Sequence, residues 1–420
     1  MTKPVVIVGG GLAGLVCARS LTRRGIPFLL LETDDRVGGR LKTDLVEGFR
    51  LDRGFQVMFE AYPYAKMELN LDDLRLRRFR QGAYLYHSGK LHAFDSSNPV
   101  QVLRDPTFGL LDKWKLRHWR LETMGLSTYH LRALTEESAA HFLTHHGFSE
   151  AFMERFAKPF FGGIFLDRSL EVSNRQFQWV FKMLCEGSVS LPESGMEAIP
   201  AQIAADLPQY LLRESSRVVE ILKDGDRAAG VRLDTNEVFE ASAVVLATDP
   251  IVASQLSGLP GPEGTKSSTC VYFETPTPVV DQPMLVLNSE GLGRVNHVAP
   301  LSVVAPSYAP SGKHLISATI LDWDTTPEAE LAEIVKEELG AWFPKNNLTL
   351  WRYLRTDRIR YAQMPQPPHY QRSLLPNETP TPGLYIAGEG TTHSSIDGAI
   401  ESGARCAALV SADVREPALA

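Results

Sequence analysis

Apolar positions along the chain fall into short runs of four or five and into stretches with a helical period, alternating with glycine-rich loops. Val5-Val6-Ile7-Val8 is a continuous β-branched run, the pattern of a strand covered on both faces. The period then changes, with Leu15, Ala18 and Leu21 at helical spacing, and the spacing predicts a helix that stops at Gly25. Arg23 and Arg24 put positive charge on its C-terminal end. A second strand, Phe28-Leu29-Leu30-Leu31, ends in Glu32. Further on, Arg217-Val218-Val219-Glu220-Ile221 and Gly230-Val231-Arg232-Leu233 read as a hairpin, and Ala243-Val244-Val245-Leu246 as another buried strand. Near the end, Leu384-Tyr385-Ile386 is a short strand, and a final helix runs through Ala399, Ala404, Ala407 and Leu409. Strand and helix alternating in this way predict an α/β fold with a parallel sheet.

The loops between these elements carry the candidate chemistry. Between the first strand and helix stands Gly9-Gly10-Gly11-Leu12-Ala13-Gly14, a G-x-G-x-x-G sequence in strand-turn-helix context. Gly9 permits the tight turn, Gly11 lets a pyrophosphate approach the backbone, and Gly14 lets helix and strand pack closely. The first helical N–H groups, at Leu12 and Ala13, then face the phosphates. Glu32 stands where a carboxylate accepts hydrogen bonds from ribose hydroxyls and repels a 2′-phosphate. The next segment, Asp35-Arg36-Val37-Gly38-Gly39-Arg40-Leu41-Lys42-Thr43, resembles the R-x-G-G-R-x-x-T segment of flavoprotein amine oxidases, phytoene desaturases and protoporphyrinogen oxidases. In that superfamily the segment wraps the FAD pyrophosphate, which assigns Arg36, Gly38, Gly39 and Arg40 to the cofactor by resemblance. Paired glycines exposing N–H groups, with an arginine beside them, suit such an anion.

The C-terminal end agrees. Ala387-Gly388-Glu389 and Ser395-Ile396-Asp397-Gly398-Ala399-Ile400-Glu401-Ser402-Gly403 look like the superfamily's A-G-D and S-x-x-G-A-x-x-S-G motifs, with Glu389 in place of the usual Asp. The resemblance implies that Gly388 and Glu389 meet the ribityl or pyrophosphate part of FAD. It further implies that the helix N-terminus near Ile396 faces the flavin's pyrimidine edge, where reduced flavin carries negative charge. It implies as well that the backbone of Val218 meets the adenine. Pro192-Glu193-Ser194-Gly195-Met196 and Asp52-Arg53-Gly54-Phe55-Gln56 resemble two further segments beside the cofactor. The expected fold is a Rossmann-type FAD-binding domain built from 1–60, 190–250 and 350–420, with an interleaved α+β substrate-binding domain from 61–189 and 251–349.

Between these parts the chain is rich in aromatic and aliphatic groups, as in Phe156-Ala157-Lys158-Pro159-Phe160-Phe161-Gly162-Gly163-Ile164-Phe165. Such a lining suits an apolar or planar small-molecule substrate, although an ordinary core has the same composition. Lys158 either sits near the flavin or snorkels to solvent. Amine oxidases carry an aromatic side chain at the position matching Ser395, so the resemblance leans toward the desaturases. The reading is an FAD-dependent oxidoreductase that transfers hydride from a mostly apolar substrate to flavin N5. Its alternatives are an amine oxidase, a protoporphyrinogen-type oxidase, and a non-catalytic binding protein like the GDP-dissociation inhibitors of the same fold. Flavin chemistry requires no acid–base pair from the protein, and no catalytic side chain is assigned.

Composition narrows the remaining classes. The 420 residues include 43 Lys and Arg against 50 Asp and Glu, a net charge of −7, which offers no general attraction for nucleic acid. No apolar stretch reaches the length of a membrane span. The segment Asp112-Lys113-Trp114-Lys115-Leu116-Arg117-His118-Trp119-Arg120 interleaves basic and aromatic groups, which suits either peripheral contact with an anionic membrane or a half-buried helix. Cys17, Cys185, Cys270 and Cys406 are far apart in sequence and read as reduced thiols, and the opening residues lack a signal segment, so a cytoplasmic location is expected. His141, His145 and His146 read as charges at a helix end, and no metal is expected. Oligomeric state and electron acceptor are left open.

Overall fold

The structure, a computed structural model, describes residues 3–97 and 99–415. Val5–Val8 is the central strand of a five-stranded parallel sheet whose order is Leu212–Arg213, Phe28–Leu31, Val5–Val8, Ala243–Leu246, Leu384–Ile386. Its four side chains are buried, which explains the uninterrupted apolar run: a strand between two parallel neighbours, with helices on its faces, has no side for water. The helix Leu12–Arg23 follows, and the terminal helix Ile396–Arg415 packs across it. The two backbones approach so closely that a Cβ on Gly403 would lie 2.3 Å from the Ala13 carbonyl oxygen. Beside this sheet lies the antiparallel ribbon Val218–Asp224, Arg227–Leu233 and Val238–Glu240.

The second layer is a seven-stranded mixed sheet in the order Arg352–Gln363, Lys266–Thr275, His314–Ile320, His297–Ala299, Leu285–Asn288, Gly82–His87, Lys90–Asp95. Its side chains alternate between two cores, as the pleat dictates. Val271, Phe273, Ile316 and Ala318 pack under the helix Glu328–Trp342, whereas Cys270, Tyr272, Leu287 and Ala299 belong to the main core. The segment 350–420 therefore begins with a strand that pairs into this mixed sheet, and it returns to the parallel sheet at Leu384.

Helices Leu110–Gly125, Lys158–Phe165 and Asn174–Glu186 close the remaining side. Trp119 joins two of them, stacked on Phe181 with ring centroids 3.6 Å apart. Lys158–Phe165 continues directly from a π-helical turn over Met153–Ala157. Among the described residues, no helix is long and apolar enough to cross a membrane.

Candidate active site

A cavity of about 1690 Å³ runs from the C-terminal ends of the parallel strands to the face of the mixed sheet. Pockets for a single small ligand usually hold roughly 300–1,000 Å³, so this one has room for a dinucleotide and a second molecule. Gly9, Gly11, Leu12, Ala13, Glu32, Gly38, Gly39, Arg40, Val218, Gly388, Glu389 and Ile396 all line it. The two glycine loops from opposite ends of the sequence thus meet at one site. Arg40 joins them, its Nη2 lying 2.7 Å from Oε1 of the buried Glu389. Its Nη1 donates to the Ala362 carbonyl oxygen at 2.7 Å, and its guanidinium lies 5.6 Å from the centre of the Tyr361 ring. Ser394 Oγ donates to the other Glu389 oxygen.

Two of the expected residues lie elsewhere. Gly14 sits beneath the loop, where a Cβ would come within 2.0 Å of the Gly9 carbonyl oxygen, so its part is the close packing of helix on strand. Arg36 does not line the cavity. It donates to Glu197 at 2.9 Å and to Asp44 at 2.7 Å, and those two carboxylates hold its guanidinium pKa above the ordinary arginine value. Arg40 reaches the cavity because its side chain leaves Gly39 toward Glu389, whereas Arg36 precedes the glycine turn and faces the Glu197 loop.

The residues present fit FAD. The helix Leu12–Arg23 has no side-chain cap on its N-terminal N–H groups, and the space beside Gly11 is open as far as the Gly39 Cα, 3.9 Å from where a Cβ would stand. This is a cradle for a pyrophosphate. Glu32 accepts from Gly10 N at 2.6 Å and from Asp34 N at 2.9 Å, and each carboxylate oxygen keeps a lone pair for a ribose hydroxyl. Tyr361 Oη is buried, and the Glu389 carboxylate is its neighbouring acceptor. Ser395 Oγ accepts from Gly398 N at 2.8 Å, capping the terminal helix so that Ile396 begins it at the cavity wall.

Toward the mixed sheet the lining turns apolar and aromatic, with Phe55, Phe160, Ile164, Leu285 and Leu287. The cavity's carboxylates, Glu32, Asp34, Asp249 and Glu389, all lie at the nucleotide end. Lys158 pairs with Glu154 and stays outside. At the mouth, Leu103, Leu110 and Trp114 line the opening and are also 62%, 63% and 61% exposed. Residues 112–120 thus lie in a helix whose opposite face, with Trp119, is buried.

Sequence reasoning had no means of finding His297 or Thr319, which join the lining because their strands bring them beside Phe55. Burial lowers the His297 pKa to about 4, so its imidazole is neutral. Neither His297 nor Thr319 stands in a motif, and a single histidine in an apolar strand gives no local signal.

Residues 12–411 match the family described as flavin containing amine oxidoreductase. The chain resembles a chloroplastic/mitochondrial protoporphyrinogen oxidase 2 of Arabidopsis thaliana, 29% identical over 171 residues, 38% of this chain and 32% of that one. It also resembles an L-amino acid dehydrogenase of Synechocystis sp., 23% identical over 276 residues, 61% of this chain and 58% of that one. It therefore spans about a third of the first relative's length and less than two thirds of the second's. In fold it matches a putrescine oxidase solved with putrescine bound, with TM-score 0.73 and 20% identity over 98% of this chain and 99% of that one. FAD is the cofactor, and the matched family is one of oxidoreductases. With its two glycine loops closed on one cavity and nearly its whole length matched, the chain belongs to the flavin containing amine oxidoreductase family.

Proposed function

We propose that this protein oxidises a carbon–carbon single bond, or a related ring, in a mostly apolar small molecule. When bound, FAD supplies the acceptor for a hydride at its N5. The chain's own part is to hold the cofactor and to orient the substrate. Gly9, Gly11, Leu12, Ala13, Gly38, Gly39 and Arg40 take the pyrophosphate, Glu32 the ribose, and the Val218 backbone the adenine. Gly388, Glu389 and the helix start at Ile396 take the ribityl and pyrimidine parts. The discontinuous unit 1–60, 190–250 and 350–420 carries these contacts, while 61–189 and 251–349 carry most of the substrate end, with Phe55 reaching it from the first unit.

One observation carries the substrate class: among the described residues, no carboxylate lines the cavity beyond the nucleotide end. An ammonium there would lack an anionic partner and would lose its hydration against Phe55, Phe160 and Leu285. A second reading, an acidic substrate of the protoporphyrinogen type, is favoured by Arg117 and Arg120. Both line the mouth, and neither forms an ion pair with a described residue.

The mouth also supports peripheral contact with an anionic membrane, since Leu103, Leu110 and Trp114 face outward beside the exposed Arg117. An anaerobic visible spectrum of the FAD-loaded protein tests the substrate class. Bleaching by an apolar polyene is the expected result, and bleaching by a reduced tetrapyrrole alone would favour the second reading. Bleaching by amines alone would overturn both.

A further inference from the structure

The helix Leu110–Gly125 turns three cations toward the cavity. Lys113, Arg117 and Arg120 follow one another by four and then three residues, the spacing of one helical face, and all three line the wall. Lys113 is satisfied within the protein, since it is buried and donates to the carbonyl oxygens of Leu103 and Asp105. The two arginines are not. Among the described residues, neither has a hydrogen bond or an ion pair. Arg117 is exposed, and Arg120 is half-buried with none of its unpartnered nitrogens shut away from solvent.

Across the opening stands the helix Asn174–Glu186, whose Leu184 and Cys185 also line the cavity. Burial raises the Cys185 thiol to about 11, and the charge of Arg120 opposes that rise, which places the Arg120 guanidinium at the facing wall. The three carboxylates on these two helices are all engaged elsewhere. Glu122 meets His118 at 3.1 Å, Glu186 meets Lys182 at 2.6 Å, and Asp112 accepts from Ser149 N at 2.9 Å. Two accessible guanidinium groups, one helical turn apart, thus stand at the mouth with no anion of the protein to answer them. A carboxylate resting there keeps part of its hydration and gains charge-assisted hydrogen bonds. Carried further, past Phe160 and Leu285, it would be stripped of water without a partner.

We propose that the substrate is an amphiphile held in one direction: a carboxylate at one end stays at the mouth with Arg117 and Arg120, and the apolar remainder extends into the apolar middle of the cavity. The proposal rests on the apolar-substrate reading and adds an orientation to it, with the reacting bond in the part of the molecule away from the charged end. Arg117 and Arg120 act as binding and specificity residues.

The test is calorimetric titration of the FAD-loaded protein with dodecanoate and with methyl dodecanoate, which share one chain and differ in the charge of the head. The native protein is expected to prefer the acid. The ratio of acid to ester affinity is expected to fall roughly 2- to 30-fold when Arg117→Gln and Arg120→Gln are combined. In the native protein, which needs no stable variant, it is expected to fall as salt is raised from about 20 mM to about 500 mM. A ratio unmoved by salt and equal in the double variant would overturn the charged end and leave the apolar reading standing. Chain length tests that reading separately: affinity is expected to rise roughly 3- to 4-fold per methylene from octanoate to dodecanoate. No rise would overturn the apolar reading and the proposal with it. Leu285→Trp, which narrows the apolar middle, is expected to weaken dodecanoate binding with flavin content unchanged. Native affinity in that variant would put the chain on the outer surface of the helix and overturn the proposal.

Discussion

Burial raises the Asp52 carboxyl to about 6, although Thr43, Met196 and Tyr308 all donate to it. The folded protein therefore holds this proton more tightly than the unfolded chain, whose value is 3.8. Stability consequently falls as pH rises from about 4 to about 6, by roughly 3 kcal/mol from this group alone. Asp52→Asn, which keeps the shape and removes the charge, is expected to flatten that part of the pH profile of the urea midpoint. An unchanged slope would count against the burial argument. At the cofactor, Gly11→Val fills the open space facing Gly39 and is expected to abolish FAD retention without unfolding the chain. A purified variant with undiminished flavin absorbance would contradict it. Gly9, Gly11 and Glu32 could be singled out in the sequence because each carries a backbone or charge requirement at fixed spacing, and all three line the cavity. Arg36 was assigned to the cofactor by resemblance, and its carboxylate partners Asp44 and Glu197 redirect it. Glu197 is distant in sequence, so no local pattern announces that pair.

At the scale of elements, the helix Leu12–Arg23 and the terminal helix must cross closely for both their N-termini to reach one cavity. Gly403 allows that crossing over Ala13. Gly403→Val is expected to push the two helices apart and to cost roughly 1–3 kcal/mol or more, with FAD retention falling in parallel. Thermal unfolding with and without added FAD checks both effects, and a native melting temperature would refute the close-packing account. The parallel strands were readable because continuous β-branched runs have one good solution, burial on both faces. Arg352–Gln363 shows what such reading misses. Most of its residues are half-buried, and nothing within the strand says whether Lys266–Thr275 or the parallel sheet will be its partner.

For the whole molecule, the organising feature is a cavity with a nucleotide end, an apolar middle and a mouth between the helices Pro99–Arg104 and Leu110–Gly125. The second of these helices is apolar on two faces. Trp119 is buried against Phe181, while Leu110, Trp114 and Leu121 stand in water at helical spacing. Trp114→Asp combined with Leu110→Asp is expected to abolish sedimentation with vesicles containing phosphatidylserine and to leave flavin content unchanged. Co-sedimentation at the native level would remove the membrane reading. The interleaved basic and aromatic pattern singled out this helix in the sequence, but an ordinary half-buried helix was the first reading of it. Only its position at the cavity mouth separates the two faces.

FAD could be read from local sequence because phosphate binding depends on backbone geometry: glycines at set intervals, a helix start and an acidic strand end are properties of consecutive residues. The meeting of Arg40 with Glu389, the diversion of Arg36, the buried neutral His297 beside Phe55, and the two-faced helix at the mouth all depend on residues far apart in the chain. Their chemistry is set by burial and by partners that close packing delivers, and neither is a property of any short stretch of sequence.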